Sequence, residues 1–94
     1  MKRTWPIEPG SVVKSKAGRD EGRVFAVISL VDQDFAMVAD GGLRGMDRQK
    51  KKRLKHLHAT GDTIPALQTR LNDAQPVENH ELREWLRPYR QKEA

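Results

Sequence analysis

The feature that most constrains this chain is the run Arg23-Val24-Phe25-Ala26-Val27-Ile28-Ser29-Leu30, rich in β-branched and aromatic residues and closed off at both ends by turn formers. That composition favours a strand, because branched side chains pack well on a pleated surface. Ahead of it, Ala17-Gly18-Arg19-Asp20-Glu21-Gly22 is a polar loop with a glycine near each end; behind it, Asp32-Gln33-Asp34 makes a turn. The same alternation of short β runs and breakers covers residues 11–60. Ser11-Val12-Val13-Lys14-Ser15 follows the turn Pro9-Gly10, and Phe35-Ala36-Met37-Val38-Ala39-Asp40 ends in Asp40-Gly41-Gly42, a strong hairpin signal. A short strand around Leu43–Met46 is expected to pair back onto it. After a basic loop, Leu54-Lys55-His56-Leu57-His58 reads as the last strand. Strands at this spacing, joined by tight turns, predict a small antiparallel barrel, which hides the edges that a 94-residue chain cannot otherwise cover.

From Gly61-Asp62-Thr63 onward the period lengthens towards helix. Ile64, Leu67 and Leu71 share one helical face and predict a short helix over about 64–73. Asn72-Asp73-Ala74-Gln75-Pro76 reads as a linker. Leu82, Trp85, Leu86 and Tyr89 then recur at helical spacing, with Asn79 as the expected N-cap and Pro88 expected to end or kink the helix near Arg87. Helices this short and this poor in apolar residues do not persist alone, so they must pack on the barrel or on a partner, and packing on the barrel is the expectation.

Charge is concentrated rather than spread. The chain carries 18 Lys+Arg against 13 Asp+Glu, a net +5. Between Arg44 and His58, however, seven basic side chains face Asp47 alone. A one-sign block of this kind repels itself unless a polyanion compensates it, so the segment predicts contact with phosphates. In the first loop, Gly18 and Gly22 admit backbone conformations closed to other residues. Arg19 at the loop tip offers a planar fork suited to phosphate oxygens, and Asp20 can orient it.

Other chemistries lack their residues. There is no Cys, which excludes disulfides, thiolate metal sites and Cys nucleophiles. His56-x-His58 would place two imidazoles on one strand face, but no third ligand joins them, so no metal and no cofactor is expected. Neither a Walker-type glycine loop nor a nucleophile elbow is present, and Asp32 and Asp34 read as turn formers; an enzyme is not expected. The longest apolar stretch, Phe25–Val31, is far too short to span a membrane, and Met1–Pro6 lacks the apolar region of a signal peptide, so a cytoplasmic protein is expected. An aromatic cage for methylated lysine would have to draw on Trp5, Trp85 and Tyr89, which are dispersed in sequence. With only 5% aromatic residues, stacking on splayed bases is a weak expectation, and recognition of RNA shape and backbone is the stronger one.

The stretch Ser11-Val12-Val13-Lys14-Ser15-Lys16-Ala17-Gly18-Arg19-Asp20-Glu21-Gly22-Arg23-Val24-Phe25-Ala26-Val27 resembles a KOW motif, with Gly22 at the place of that motif's anchoring glycine. The wording beyond the motif is similar to the eukaryotic and archaeal large-subunit ribosomal protein family called L fourteen e, and to small bacterial KOW proteins. The similar segments are the loop Ala17–Gly22, the hairpin Val38-Ala39-Asp40-Gly41 and the basic run ending in Lys55-His56-Leu57. The likeness covers about residues 9–60 and leaves the helical tail outside.

Residues and resemblance together give the following expectations. The fold is mainly β, with residues 1–60 an SH3-like (KOW) antiparallel barrel and residues 61–94 a C-terminal extension of two short α-helices packed on it, a single domain overall. The resemblance implies non-catalytic RNA binding, to structured ribosomal RNA, in translation or ribosome assembly. The alternative is a module that docks on a ribosomal protein or on RNA polymerase. The partners expected are RNA and ribosomal proteins, with no membrane and a monomer when free. The RNA-binding residues expected are Lys14, Lys16, Arg19, Arg44, Arg48, Lys50, Lys51, Lys52, Arg53, Lys55 and His56, with Gly18, Asp20 and Gly22 shaping the first loop. Arg19 and the segment Arg48–Lys55 are expected to form one surface if their loops open at the same end of the barrel.

Overall fold

In the computed structural model, which describes residues 7–91, the β-branched runs form the strands that their composition favours. Strand β1 is Ser11–Ser15, β2 is Val24–Leu30 and β3 is Phe35–Ala39. They are followed by β4 (Lys50–Arg53), β5 (Leu57–Thr63), α1 (Pro65–Asn72) and α2 (Asn79–Gln91). Single 3-10 turns lie at Gly18–Asp20, Met46–Arg48 and Leu54–His56. Met1–Pro6, and with it Trp5, lies outside the described residues, as do residues 92–94.

All five strands pair antiparallel in one sheet, in the order β4-β3-β2-β1-β5. The expected barrel is not closed: β4 and β5 are the two ends of that order, with no ladder between them. The chain crosses from one edge to the other through the 3-10 turn Leu54–His56, where one bond extends the β3–β4 pairing and another the β1–β5 pairing. Leu54 N–H donates to the Asp34 carbonyl (2.8 Å), and Lys16 N–H donates to the His56 carbonyl (2.8 Å). Nor is the fold mainly β, since helices of 8 and 13 residues match strands of 4 to 7.

The centre of the sheet is buried on both faces. Val13, Phe25, Val27, Ala36, Val38 and Leu57 make one cluster, which the half-buried Leu54 joins. On the opposite face, Val12, Val24, Ala26, Ile28 and Ala39 pack with Ile64, Leu67, Leu82 and Leu86 from the helical segment. This explains why β2 is apolar on both sides over five consecutive residues.

Several boundaries depart from the sequence expectation. No strand forms at Leu43–Met46. Gly41, at φ +80°, sits against α2 so closely that a Cβ there would meet the Asn79 carbonyl at 2.3 Å. The segment is thus a docked turn, and the strand that pairs back onto β3 is the basic run Lys50–Arg53, read above as a loop. Leu54–His56 is a turn, and β5 runs on to Thr63 through a register shift at Gly61 (φ +93°). Asn79 does not cap α2 from outside; it is the first helical residue, and its Oδ1 accepts the Met46 N–H (2.8 Å). Glu78 takes the capping position instead: Glu81 Oε1 accepts the Glu78 N–H (3.1 Å), and the Glu78 carbonyl accepts from Glu81 and Leu82. Pro88 neither ends nor bounds α2, which runs through it to Gln91. Buried Leu86 before it, and the hydrogen bond from Tyr89 Oη to Asp62 after it (3.0 Å), hold the helix on both sides of the missing N–H.

Candidate nucleic-acid interface

Strand geometry sorts the basic run by parity. Successive side chains on a strand point to opposite faces, and β4 pairs with β3 in the register Val38↔Lys50, Met37↔Lys51, Ala36↔Lys52 and Phe35↔Arg53. Lys50 and Lys52 therefore share the face of Ala36 and Val38, beside the core. Both lie close to one carboxylate, with Nζ 3.7 and 3.6 Å from Asp20 Oδ2, and Lys52 is only 9% exposed. Lys51 and Arg53 share the other face and cover the Phe35 ring, at 4.7 and 4.9 Å from its centroid. Two of the four cations are committed to an internal ion pair, whereas Lys51 and Arg53 are exposed.

Asp20 also determines where the first loop lies. Its pairing with Lys50 and Lys52 holds the 3-10 turn Gly18–Asp20 against β4, while the Lys16–His56 backbone bond ties the start of the loop to the 3-10 turn Leu54–His56. Arg19 stands exposed at the tip. Gly22 adopts φ +89° and donates its N–H to the Ser15 carbonyl (2.8 Å), with open space where a Cβ would be. Asp20 thus works as a clamp on β4, and no bond from it to Arg19 is seen.

A groove of about 420 Å³ lies between the end of β4 and β5. Ile7, Leu54, Leu57 and Ala59 line it together with Lys16, Arg53 and Lys55. The remaining expected residues are more scattered. Lys14 is half-buried within β1 opposite His58, and Arg48 is exposed on the 3-10 turn Met46–Arg48. His56 is half-buried in a turn rather than on the strand that carries His58. Arg44 is half-buried, its backbone tied to Asp40 and Gly41, and its Nε is buried without a hydrogen-bond partner. It belongs to the packing of the hairpin.

Asp40 is the residue that sequence reasoning missed. Only 1% exposed, it accepts the N–H groups of Gly42 (2.9 Å) and Arg44 (3.0 Å) on Oδ1. On Oδ2 it meets Arg23 (3.1 Å) and, more loosely, Arg90 of α2 (3.8 Å). A hairpin turn, the start of β2 and the end of α2 thus converge on one carboxylate. The dipeptide Asp40-Gly41 signals the turn, but the two arginines lie 17 and 50 residues away in sequence. Elsewhere in the tail, the hydrogen-bonded fork of Arg70 on Glu81 (2.8 and 2.6 Å) pulls the Glu81 carboxyl down to about 2.

Among the described residues no three His, Cys, Asp or Glu side chains gather as a metal site, and no helix is long and apolar enough to cross a membrane. No family model matches the chain. Curated proteins that match include the large ribosomal subunit protein eL14 of Drosophila virilis and that of Drosophila melanogaster, each 39% identical over 54 residues. The match takes in 57% of this chain but only 32% and 31% of those proteins, so the chain spans about a third of the length of the relatives it matches. Over those 54 residues this chain is similar to eL14, which bears out the likeness read from its KOW-type motif and hairpin.

Proposed function

We propose that this chain is a non-catalytic RNA-binding protein that docks on structured ribosomal RNA, in translation or ribosome assembly, in the cytoplasm. The observation that carries the reading is the division of β4, which leaves Lys51 and Arg53 exposed while Lys50 and Lys52 hold Asp20 in the loop whose tip is the exposed Arg19. On this reading Arg19, Lys51 and Arg53, with Lys16 and Lys55 of the groove, are the cations that meet phosphate. The ribosomal part of the reading rests on the likeness to eL14. We read the open sheet as a variant of the SH3-like KOW barrel, and residues 1–60 and 61–94 as one working unit, because both contribute to the same apolar cluster.

The test is salt dependence. If Lys16, Arg19, Lys51, Arg53 and Lys55 each neutralise a phosphate, log K for RNA falls by about four units per tenfold rise in salt. Lys51→Ala with Lys55→Ala flattens that slope by about 1.5 units. Crosslinking in cells followed by sequencing of the attached RNA then identifies the partner. A slope near zero, with retained capture of a ribosomal protein or RNA polymerase, overturns the reading in favour of protein docking.

A further inference from the structure

The groove between β4 and β5 has more in it than backbone binding requires. A duplex presents phosphates and riboses, which cations alone can meet, yet this groove has an aliphatic lining in Ile7, Leu54, Leu57 and Ala59. We propose that it holds a single unstacked nucleotide of the bound RNA, an inference that rests on the RNA-binding reading above.

Three observations lead there. The volume, about 420 Å³, lies at the lower end of the range of small-ligand sites and suits one nucleotide rather than a paired step. The lining is mixed: Ile7, Leu54, Leu57 and Ala59 are apolar, Lys16, Arg53 and Lys55 are cationic, and Gln33, Asp34 and His58 supply donors and acceptors. A nucleotide asks for that mixture, since it has an apolar base face, polar base edges and an anionic phosphate. Arg53 moreover lies over the Phe35 ring, its Cζ 4.9 Å from the centroid, at the edge of the groove. A guanidinium plane and aliphatic side chains can stack on a base as aromatic rings do elsewhere. The paucity of aromatic residues therefore does not restrict this protein to backbone contacts.

The charge balance favours an anionic occupant. Three cations line the groove against the single carboxylate of Asp34, whose backbone carbonyl is already engaged by Leu54 N–H. A base reaches the aliphatic lining only after leaving its stack, so the preferred partner is RNA with a bulged or looped-out nucleotide, where unstacking costs least.

The experiment compares two short RNA hairpins, one fully paired and one with a single bulged nucleotide, the four identities tested in turn. The full-length protein is expected to bind the best bulged hairpin about tenfold tighter than the paired one. In Gln33→Ala with His58→Ala, two exposed positions, that preference is lost while affinity for the paired hairpin and the melting temperature hold. Equal binding of paired and bulged hairpins by the unmodified protein overturns the nucleotide site and leaves RNA binding standing. A preference that survives in the double variant also overturns it, by placing the bulge elsewhere. Failure to bind either hairpin overturns both readings.

Discussion

Asp40→Ala should be among the most damaging single changes outside the apolar core, and its size can be worked out group by group. The side chain is 1% exposed, so nothing but protein meets its oxygens. Removing it leaves the N–H groups of Gly42 and Arg44 without their acceptor, at about 1 kcal/mol each. The lost ion pairs add less. Arg23 and Arg90 are 41% and 39% exposed, and solvent screens them, so together they contribute about 1 kcal/mol. The total is about 3 kcal/mol, roughly 12–24 °C in Tm for a domain of this size. Asp40→Asn keeps an oxygen acceptor for the two N–H groups and loses only the charge, so it should cost about 1 kcal/mol. Urea and thermal melts of both variants at low and high salt check the division. The gap between unmodified protein and Asn should shrink with salt, and the gap between Asn and Ala should not. Equal destabilisation by Ala and Asn would refute the reasoning, since charge rather than turn capping would then dominate.

Gly41→Ala combines φ +80° with a Cβ 2.3 Å from the Asn79 carbonyl, whereas Gly22→Ala has φ +89° and open space. The first should cost about 2–4 kcal/mol and the second about 1 kcal/mol in denaturant melts. Leu86→Ala, at a fully buried position, should cost about 2–5 kcal/mol, and truncation after Thr60 should abolish the cooperative melt because Val12, Val24 and Ala26 lose their cover. A truncated chain that melts like the full one would show the helices to be dispensable. The Glu81 carboxyl is depressed in the folded state, so its contribution is present above the ordinary carboxyl range near 4.5 and is lost as pH falls towards about 2. Glu81→Gln should remove that part of the acid limb from a Tm-against-pH profile, while leaving neutral-pH RNA binding unchanged.

Strands β1, β2 and β3 are legible from β-branched and aromatic runs bounded by turn formers, and both helices from a helical period in the residue types. The expected helix over about 64–73 is α1 at Pro65–Asn72, and the stripe Leu82, Trp85, Leu86 and Tyr89 is the face that α2 packs. What failed did so where local pattern and tertiary partner disagree. Leu54 and Leu57 stand three apart because a 3-10 turn lies between them, a spacing that a strand reading cannot use. Asn79 has the chemistry of an N-cap, but the Met46 N–H takes its oxygen from 33 residues away. The hairpin after Asp40 was correctly placed, while its return strand was assigned several residues too early. Gly41 reads as an ordinary turn former and Gly45 falls inside the expected strand, yet both let the turn lie against Asn79 of α2.

The candidate site shows why a basic run is a poor guide to its own conformation. Lys50, Lys51, Lys52 and Arg53 carry no alternation of residue type, so nothing in the run itself marks a strand. The period resides in the partners: Asp20 for Lys50 and Lys52, the Phe35 ring for Lys51 and Arg53. Read as a loop, all four cations count towards phosphate. Read as a strand, half of them hold the first loop in place and the other half face outward. The distinction changes what a charge deletion means. Loss of Lys52, 9% exposed, leaves Asp20 short of a partner and loosens the loop that presents Arg19, so affinity and stability fall together. Loss of Lys51 removes an exposed charge and little else. A cation-rich edge strand also resists pairing with another sheet, because the charges oppose approach of a second chain. The open edge of β4 can therefore stay free for a polyanion, the one class of partner that its charge attracts.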